Sequence, residues 1–331
     1  MVLTACVILK NRGAAAVTDP RKFIILLYDV SWGRCLLRPA ENDPLYEFTH
    51  VLTRLPEADV VIFHVPTAPN PRRARKYRGQ KWVAYSLESD VNYPRLRDPE
   101  YMSQFDLTMT YRWDSDVPLM YWWPELRAAL SRPPMPKKET PPAVFFSSNL
   151  LEKSGRTEYA RELMRYIPID CYGRAFPNRS LAEDSGRETK LTTISRYRFD
   201  LAFENSISRD YLSEKFFDSL AAGCVPVYRG APNIEEFAPG DHCFINAADF
   251  HGPRELAEFL LHLTHHPAEY EAYFAWKTRP WRDAFLQKIA IAEVDPFHRL
   301  AEKIRGRGTL PRASSVWGAI PWPWRRRTQA C

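Results

Sequence analysis

Glycine is scarce, 13 in 331 residues, and none lies in a GxGxxG run or in a phosphate loop leading to a lysine. The backbone cradle of an ordinary dinucleotide or kinase-like site is therefore missing. The six cysteines, Cys6, Cys35, Cys171, Cys224, Cys243 and Cys331, are scattered without a CxxC pair. That argues against a thiolate zinc site and, in a chain of this size, against a disulfide framework, and points to a reducing compartment. Long apolar runs are absent: Phe23–Leu27 (FIILL) is among the longest, far below the ~20 residues a membrane-spanning helix needs. The opening MVLTACVILKNRG has no basic residue ahead of its apolar stretch and does not read as a secretory signal. The eight histidines are dispersed, with no defensible Ser/His/Asp arrangement.

What is present is the composition of a folded protein, 45% hydrophobic and 26% charged, which excludes disorder as the main state. The balance of 46 basic and 40 acidic residues, 46 − 40 = +6, suits an anionic ligand. It is too mild to establish a nucleic-acid binder, a third reading from charge and aromatics that lacks any basic recognition motif.

Short β-branched and aromatic runs alternate with helical patterns. Strands are expected at Lys22–Val30, Val60–Val65, Lys81–Glu88 and Asp106–Tyr111, then at Ala143–Ser148, Ile169–Gly173, Leu201–Asn205, Val225–Gly230 and Cys243–Asn246. Helices are expected at Glu152–Tyr166, Glu214–Ala222 and Pro253–Thr264, with another over Asp295–Arg307. This alternation predicts βαβ units in two doubly wound α/β domains. The stretch Ser131–Pro142, SRPPMPKKETPP, reads as an extended linker because its prolines forbid a regular element. The domains then run over 1–135 and 143–290, with a helix and basic, aromatic tail over 291–331. In that tail Trp322, Trp324, Arg325, Arg326 and Arg327 have the chemistry of weak contact with an anionic membrane surface; a frayed or docked terminus explains them equally.

The segment from Tyr197 to Asn233 holds the densest chemistry. Its strand ends in Glu204 and Asn205, where an open α/β sheet presents its ligand crevice. The following helix starts near Ser213, an N-cap residue, and stops near Gly223. Lys215 then falls in the first turn, against the helix dipole, a placement that becomes sensible if an anion sits there. Tyr211 lies on the same rim, and Gly230-Ala231-Pro232 offers a tight turn beside it. Arg156, near the start of an earlier helix, could grip a diphosphate across from Lys215. A solvated lysine and an exposed helix arginine would explain these two cations without any ligand. In the first half Glu88 ends a buried strand, where partial burial suits a general base; a capping or loop glutamate is the alternative. Asp114-Ser115-Asp116 forms a DxD without a third ligand, a weak metal signal. His262, His265 and His266 cluster late in a helix, as solvated residues near its carboxyl end.

The stretch Arg196–Phe250 resembles the α1,3-fucosyltransferases, through YRFDLAFENS, DYLSEKFFDSLAAGCVPVYRG and APNIEEFAPGDHCFINAADF. WVAYSLES (Trp82–Ser89) and DLTMTYRWDSDV (Asp106–Val117) resemble the family more loosely, as do VFFSSN and GRTEYARELMRYIPIDCYGR. The likeness covers roughly residues 60 to 250; the first 60 residues carry no named motif, and Asp90 stands where relatives often have proline. The resemblance implies a GT-B fold: two Rossmann-like doubly wound domains facing across a cleft, the acceptor in the first and GDP-fucose in the second. It implies inverting transfer of L-fucose to a glycan hydroxyl, O3 of N-acetylglucosamine being the usual one. No cofactor is required on this reading, with Mn2+ or Mg2+ at most stimulatory. Glu88 would be the base. Arg156, Glu204, Asn205, Tyr211, Glu214 and Lys215 would hold the donor, lysine at the diphosphate and glutamate at the ribose or fucose. Asp114-Ser115-Asp116 becomes a structural or acceptor-side element. The expected location is cytoplasmic at an inner membrane face, or the Golgi lumen if an anchor is missing. Rival readings are a GT-B transferase using GDP-mannose and a non-catalytic nucleotide- or glycan-binding module.

Overall fold

The computed structural model describes residues 21–28, 39–68, 70–139 and 141–306. The tail residues Trp322, Trp324, Arg325, Arg326 and Arg327 lie outside them, as do Cys6, Cys35, Cys331 and the amino-terminal stretch read above. No helix among the described residues is long and apolar enough to cross a membrane.

Among the described residues, ten strands form two separate five-stranded sheets. The first holds β1 (Phe23–Leu27), β2 (Tyr46–Thr49), β3 (Val60–His64), β4 (Lys81–Ser86) and β5 (Leu107–Thr110). The second holds β6 (Ala143–Phe146), β7 (Ile169–Tyr172), β8 (Phe199–Phe203), β9 (Val225–Arg229) and β10 (Ile245–Asn246). Helices follow as α1 (Pro99–Met102), α2 (Glu125–Leu130), α3 (Arg156–Leu163), α4 (Arg187–Ile194), α5 (Glu214–Ala221), α6 (Pro253–His265), α7 (Pro267–Ala272), α8 (Asp283–Ala292) and α9 (Pro296–Ile304). Every strand pairing among the described residues is parallel. The orders are β2-β1-β3-β4-β5 and β10-β9-β8-β6-β7. Read from the first strand of each lobe these are one and the same winding, with the order reversing between β1 and β3 and between β6 and β8. Ligands of such sheets bind outside the carboxyl ends of the strands flanking that reversal. The α/β GT-B expectation is met.

Central strands such as β3 and β8 are buried at all five positions, as sheets covered on both faces require. The strand expected at Leu201–Asn205 lies two residues earlier. Its early position Asp200 does not read as strand, yet its buried carboxylate accepts the Ser219 hydroxyl at 2.7 Å, which makes the charge tolerable inside a sheet. The first strand is shorter than expected, and β2 carries no clear alternation, so it escaped the sequence reading. The helix expected from Glu152 begins only at Arg156. Gly155 ahead of it is left-handed (φ 67°), and Glu152 serves instead as acceptor for the Arg156 and Thr157 amides, at 2.9 and 3.3 Å.

The proline-rich linker is docked at Pro134 and Lys137 and is otherwise largely exposed. Lys137 donates to the carbonyls of Ser195 and Gly223, and Pro134 lies against Gly223. Gly223 has φ +66°, the left-handed conformation expected just past the end of α5.

Two helices pack across the sequence division. Trp122 and the α2 residues Leu126 and Leu130 share a core with Phe216, Phe217 and Phe285 of the second lobe. In return Phe297 and Leu300 of α9 pack under the first sheet against Ile25, Tyr46 and Val83. The lobes are thus held by exchanged apolar helices as well as by the cleft between them.

Candidate active site

The site forms where β6 and β8 end beside the reversal of strand order. Immediately after β8, Glu204 is fully buried, and its carboxylate accepts the Ser213 amide at 2.8 Å and the Ser213 hydroxyl at 2.7 and 2.9 Å. Ser213 was expected to cap α5. It occupies the N-cap position but makes no side-chain cap bond, because its hydroxyl is spent on Glu204. Gly230 allows this approach: a Cβ there would overlap the Tyr228 hydroxyl and come within 2.6 Å of Glu204 Cγ.

Lys215 reaches back over the start of α5. Its ammonium donates to Ser213 Oγ at 2.7 Å and lies 3.4 Å from both Glu204 and Glu214. Burial disfavours its charge, but Glu204 and Glu214 outweigh that and hold its pKa above the usual lysine value. Glu214 shows the converse: despite burial, Lys215 and then Lys190 pull its carboxyl down to about 2. The two carboxylates already compensate a cation placed against the helix dipole, so the dipole argument for a bound anion is not needed to explain Lys215.

Arg156 is 1% exposed, which overturns the exposed-arginine alternative. Its guanidinium donates to the Phe203 carbonyl at 3.2 Å and the Asn149 carbonyl at 2.8 Å, and its Nε–H has no hydrogen-bond partner. Ser147 Oγ, Asn205 Oδ1 and Ser206 Oγ, also buried, are likewise without partners. Ser147 follows β6, and Asn205 and Ser206 follow β8, so these polar atoms gather at the carboxyl ends of adjacent strands. Other buried polar atoms among the described residues also lack hydrogen-bond partners, Trp82 Nε1 and Trp276 Nε1 among them, but these four are grouped at strand ends, where a polar ligand would supply the partners.

Glu88 approaches from the first lobe. Two residues beyond β4, its amide donates to Ser86 Oγ at 2.9 Å, and that hydroxyl donates back to the Glu88 carbonyl at 3.0 Å, fixing the turn. Burial raises the Glu88 carboxyl above the usual range; Lys215 opposes this, and Glu214 and Glu204 add to it. The Tyr211 phenol hydrogen-bonds to Glu88 and receives a bond from Asn205. All seven residues singled out from sequence therefore meet: Glu88 from one lobe, and Arg156, Glu204, Asn205, Tyr211, Glu214 and Lys215 from the other. The sequence reading missed Ser213 as the brace between Glu204 and Lys215, and Tyr121, a partly buried phenol that donates to the Leu87 carbonyl at 3.2 Å, next to Glu88. Ser213 adjoins Glu214 in the same motif and was open to notice; nothing near Tyr121 signals its place.

The DxD carboxylates have other partners. Asp116 accepts the Thr108 amide and hydroxyl at 2.9 and 3.1 Å and pairs with Lys303 of α9 at 3.0 Å. Asp114 is exposed and pairs with Arg112 at 3.0 Å. Both serve the turn after β5. At the α6–α7 corner His262 and His266 stack with centroids 3.7 Å apart, and His262 pairs with Glu269 at 2.9 Å. Donor atoms of these three exposed residues lie within 4.8 Å of one another.

Comparison with known proteins agrees with this geometry. The model of the fucosyltransferase amino-terminal region matches residues 20–122, which extends the likeness into the first 60 residues. The model described as glycosyltransferase family 10 (fucosyltransferase), C-terminal, matches residues 135–310. A human 4-galactosyl-N-acetylglucosaminide 3-alpha-L-fucosyltransferase FUT6 is 36% identical over 233 residues, 67% of this chain and 62% of that protein. A GDP-fucose protein O-fucosyltransferase 3 from Canis lupus familiaris is 32% identical over 232 residues, 66% of this chain and 48% of its own. The chain thus spans about half to three fifths of the length of these relatives. A crystal structure of an alpha1,3-fucosyltransferase superposes with a TM-score of 0.53 at 18% identity, covering 78% of this chain and 82% of that one. Two family models in tandem over a GT-B pair of lobes, with the family's motif residues converging on one cleft, place this chain in the glycosyltransferase family 10 fucosyltransferases.

Proposed function

We propose that this chain transfers L-fucose from GDP-fucose to a glycan hydroxyl, O3 of N-acetylglucosamine, with inversion at the fucose anomeric carbon. The observation that carries the reading is that the turn bearing Glu88 is bonded to the second lobe, Lys153 to the Val91 carbonyl at 2.9 Å and Ser208 to Asp90 at 2.7 Å, so that the Lys215 charge acts on the Glu88 carboxyl across the cleft. The names of the relatives support the donor and the linkage.

In the proposed reaction the diphosphate lies at the carboxyl ends of β6 and β8. Lys215 and the guanidinium of Arg156, whose Nε–H makes no hydrogen bond and lies 3.8 Å from Glu152, face it on this reading, with Asn205 and Ser206 completing its polar surroundings. As the bond from anomeric carbon to phosphate oxygen breaks, its electron pair leaves with GDP, and positive charge builds on the fucose ring. Cations already fixed around the leaving oxygens stabilise that state, each contact being worth ~3 kcal/mol. Glu88 takes the acceptor hydroxyl proton as that oxygen bonds to the anomeric carbon from the opposite face, a contribution of about 10²–10⁴ in rate. Its raised pKa brings its basicity toward neutral pH, where a proton acceptor is more effective.

The test is incubation with GDP-fucose or GDP-mannose and a panel of lactosamine, chitobiose and core N-glycan acceptors, with the linkage read by mass spectrometry and NMR. An α1,3-fucosylated product supports the reading. Transfer from GDP-mannose alone, or GDP binding without transfer to any acceptor, overturns it.

A further inference from the structure

The turn that carries Glu88 is gripped by the second lobe at two points. Ser208, in the loop that runs from Asn205 to Tyr211, donates its hydroxyl to Asp90 Oδ1 at 2.7 Å. Lys153, just ahead of α3, donates to the Val91 carbonyl at 2.9 Å. The two gripping segments are themselves joined, since the Lys153 amide donates to the Asn205 carbonyl at 2.8 Å.

The Ser208 contact sits in a built network. Arg97 holds both Asp90 oxygens, Oδ2 at 2.9 Å and Oδ1 at 3.1 Å, and the Asp90 amide donates to the Tyr111 hydroxyl at 3.1 Å. That hydroxyl lies 3.3 Å from Ser208 Oγ, and the Tyr111 ring meets the Tyr211 ring edge-on with centroids 5.2 Å apart. Two residues beyond Ser208 the loop is held again. Asp210 accepts the Trp113 amide of the first lobe at 3.1 Å and exchanges hydrogen bonds with Asn233, at 2.9 Å each way. Its φ of 64° is one that a non-glycine residue keeps only where its surroundings over-determine it.

Asp90 is thus two residues from Glu88 on one side and one hydrogen bond from the Asn205–Tyr211 loop on the other. We infer that Asp90 is a positioning residue for this chain's reaction: through Ser208 it sets the register of the Glu88 turn against the loop that carries Asn205 and Tyr211. The inference rests on the reading of Glu88 as the base. Its consequence is that loss of either latch partner misplaces the base while leaving the diphosphate contacts of Arg156 and Lys215 in place.

The experiment uses the full chain with Asp90→Ala, Ser208→Ala, the double variant and Asp90→Asn, measuring transfer kcat, GDP affinity by calorimetry and the thermal midpoint. Each alanine variant is expected to lower kcat about tenfold with GDP affinity within about twofold, and the double variant to lose no more than the worse single, as coupled partners do. Asp90→Asn is expected to recover most of the rate, because its amide oxygen still accepts from Ser208. A lowered thermal midpoint with kcat intact, losses that multiply in the double variant, or GDP affinity falling in step with kcat overturns the inference. Glu88→Gln run alongside separates the two readings. If it keeps near-normal turnover, the base assignment and the latch fall together. If it is inactive while both alanine variants turn over normally, the latch alone fails.

Discussion

Lys215 and Glu204 lie 3.4 Å apart with the Ser213 hydroxyl between them, accepting from the ammonium and donating to the carboxylate. The ammonium is therefore held in place before any ligand arrives, and little reorganisation is needed when one does. Glu204, wholly buried, anchors Ser213 from beneath, and through that brace it aims the lysine.

Lys215→Met should leave Glu204 and Glu214 without their cation, in the site proposed to hold the diphosphate. Transfer should fall by about 10²–10³ and GDP binding should weaken with it. Ser213→Ala should cost less, because the direct pair of Lys215 and Glu204 remains. Steady-state kinetics with calorimetric GDP binding check both, and equal losses in the two variants would remove the distinction between cation and brace.

Glu88→Gln should keep GDP binding and lose transfer by about 10²–10⁴. It should also stabilise the fold at neutral pH. The Glu88 carboxyl is raised in the folded state, so its contribution to stability is present below the ordinary glutamate pKa and is lost as pH rises through the folded value. Glutamine cannot ionise and escapes that loss. A thermal midpoint for Glu88→Gln above wild type at pH 8 and equal to it at pH 4 is the expected pattern; no gain at pH 8 would contradict it.

Asp200 gives a second pH dependence, away from the chemistry. Its carboxyl is raised from 3.8 to about 6, by burial first, with Lys190 and the Ser219 hydroxyl opposing. The sign is that of Glu88: the folded state binds the proton more tightly, so stability is lost between about pH 4 and pH 6 as the buried group ionises. Asp200→Asn should flatten the thermal midpoint over that window, as scanning calorimetry at several pH values would show. An unchanged slope would mean that Asp200 does not titrate there.

Gly230→Ala should destabilise by roughly 1–3 kcal/mol, the usual cost of overpacking, because its Cβ would meet the Tyr228 hydroxyl and Glu204 Cγ. Displacing Glu204 should also lower transfer. Gly155→Ala is the control: a left-handed glycine with open space around it should cost about 1 kcal/mol or less and leave the Lys215 cluster intact. Urea denaturation of the two variants separates a clash from backbone strain.

Much of the protein was legible in its residues. Alternating strands and helices dictated two parallel α/β lobes, and the polar ends of β4 and β8 pointed to Glu88, Glu204 and Asn205, since a buried parallel strand has no reason to end in such groups unless it faces a crevice. One motif carried Tyr211, Glu214 and Lys215 together. What the linear order withheld were partners distant along the chain. Arg156 read more readily as an exposed helix residue, and only its two carbonyl acceptors and its burial placed it in the floor of the site. Asp90 and Ser208 are 118 positions apart, and no local pattern couples them. Local sequence determines where strands stop and which side chains stand at their ends, because these follow from backbone preference and hydrophobic period. Which of those ends face one another across a cleft, and which carboxylate braces which cation, depended on helices exchanged between the lobes and was decided by tertiary packing alone.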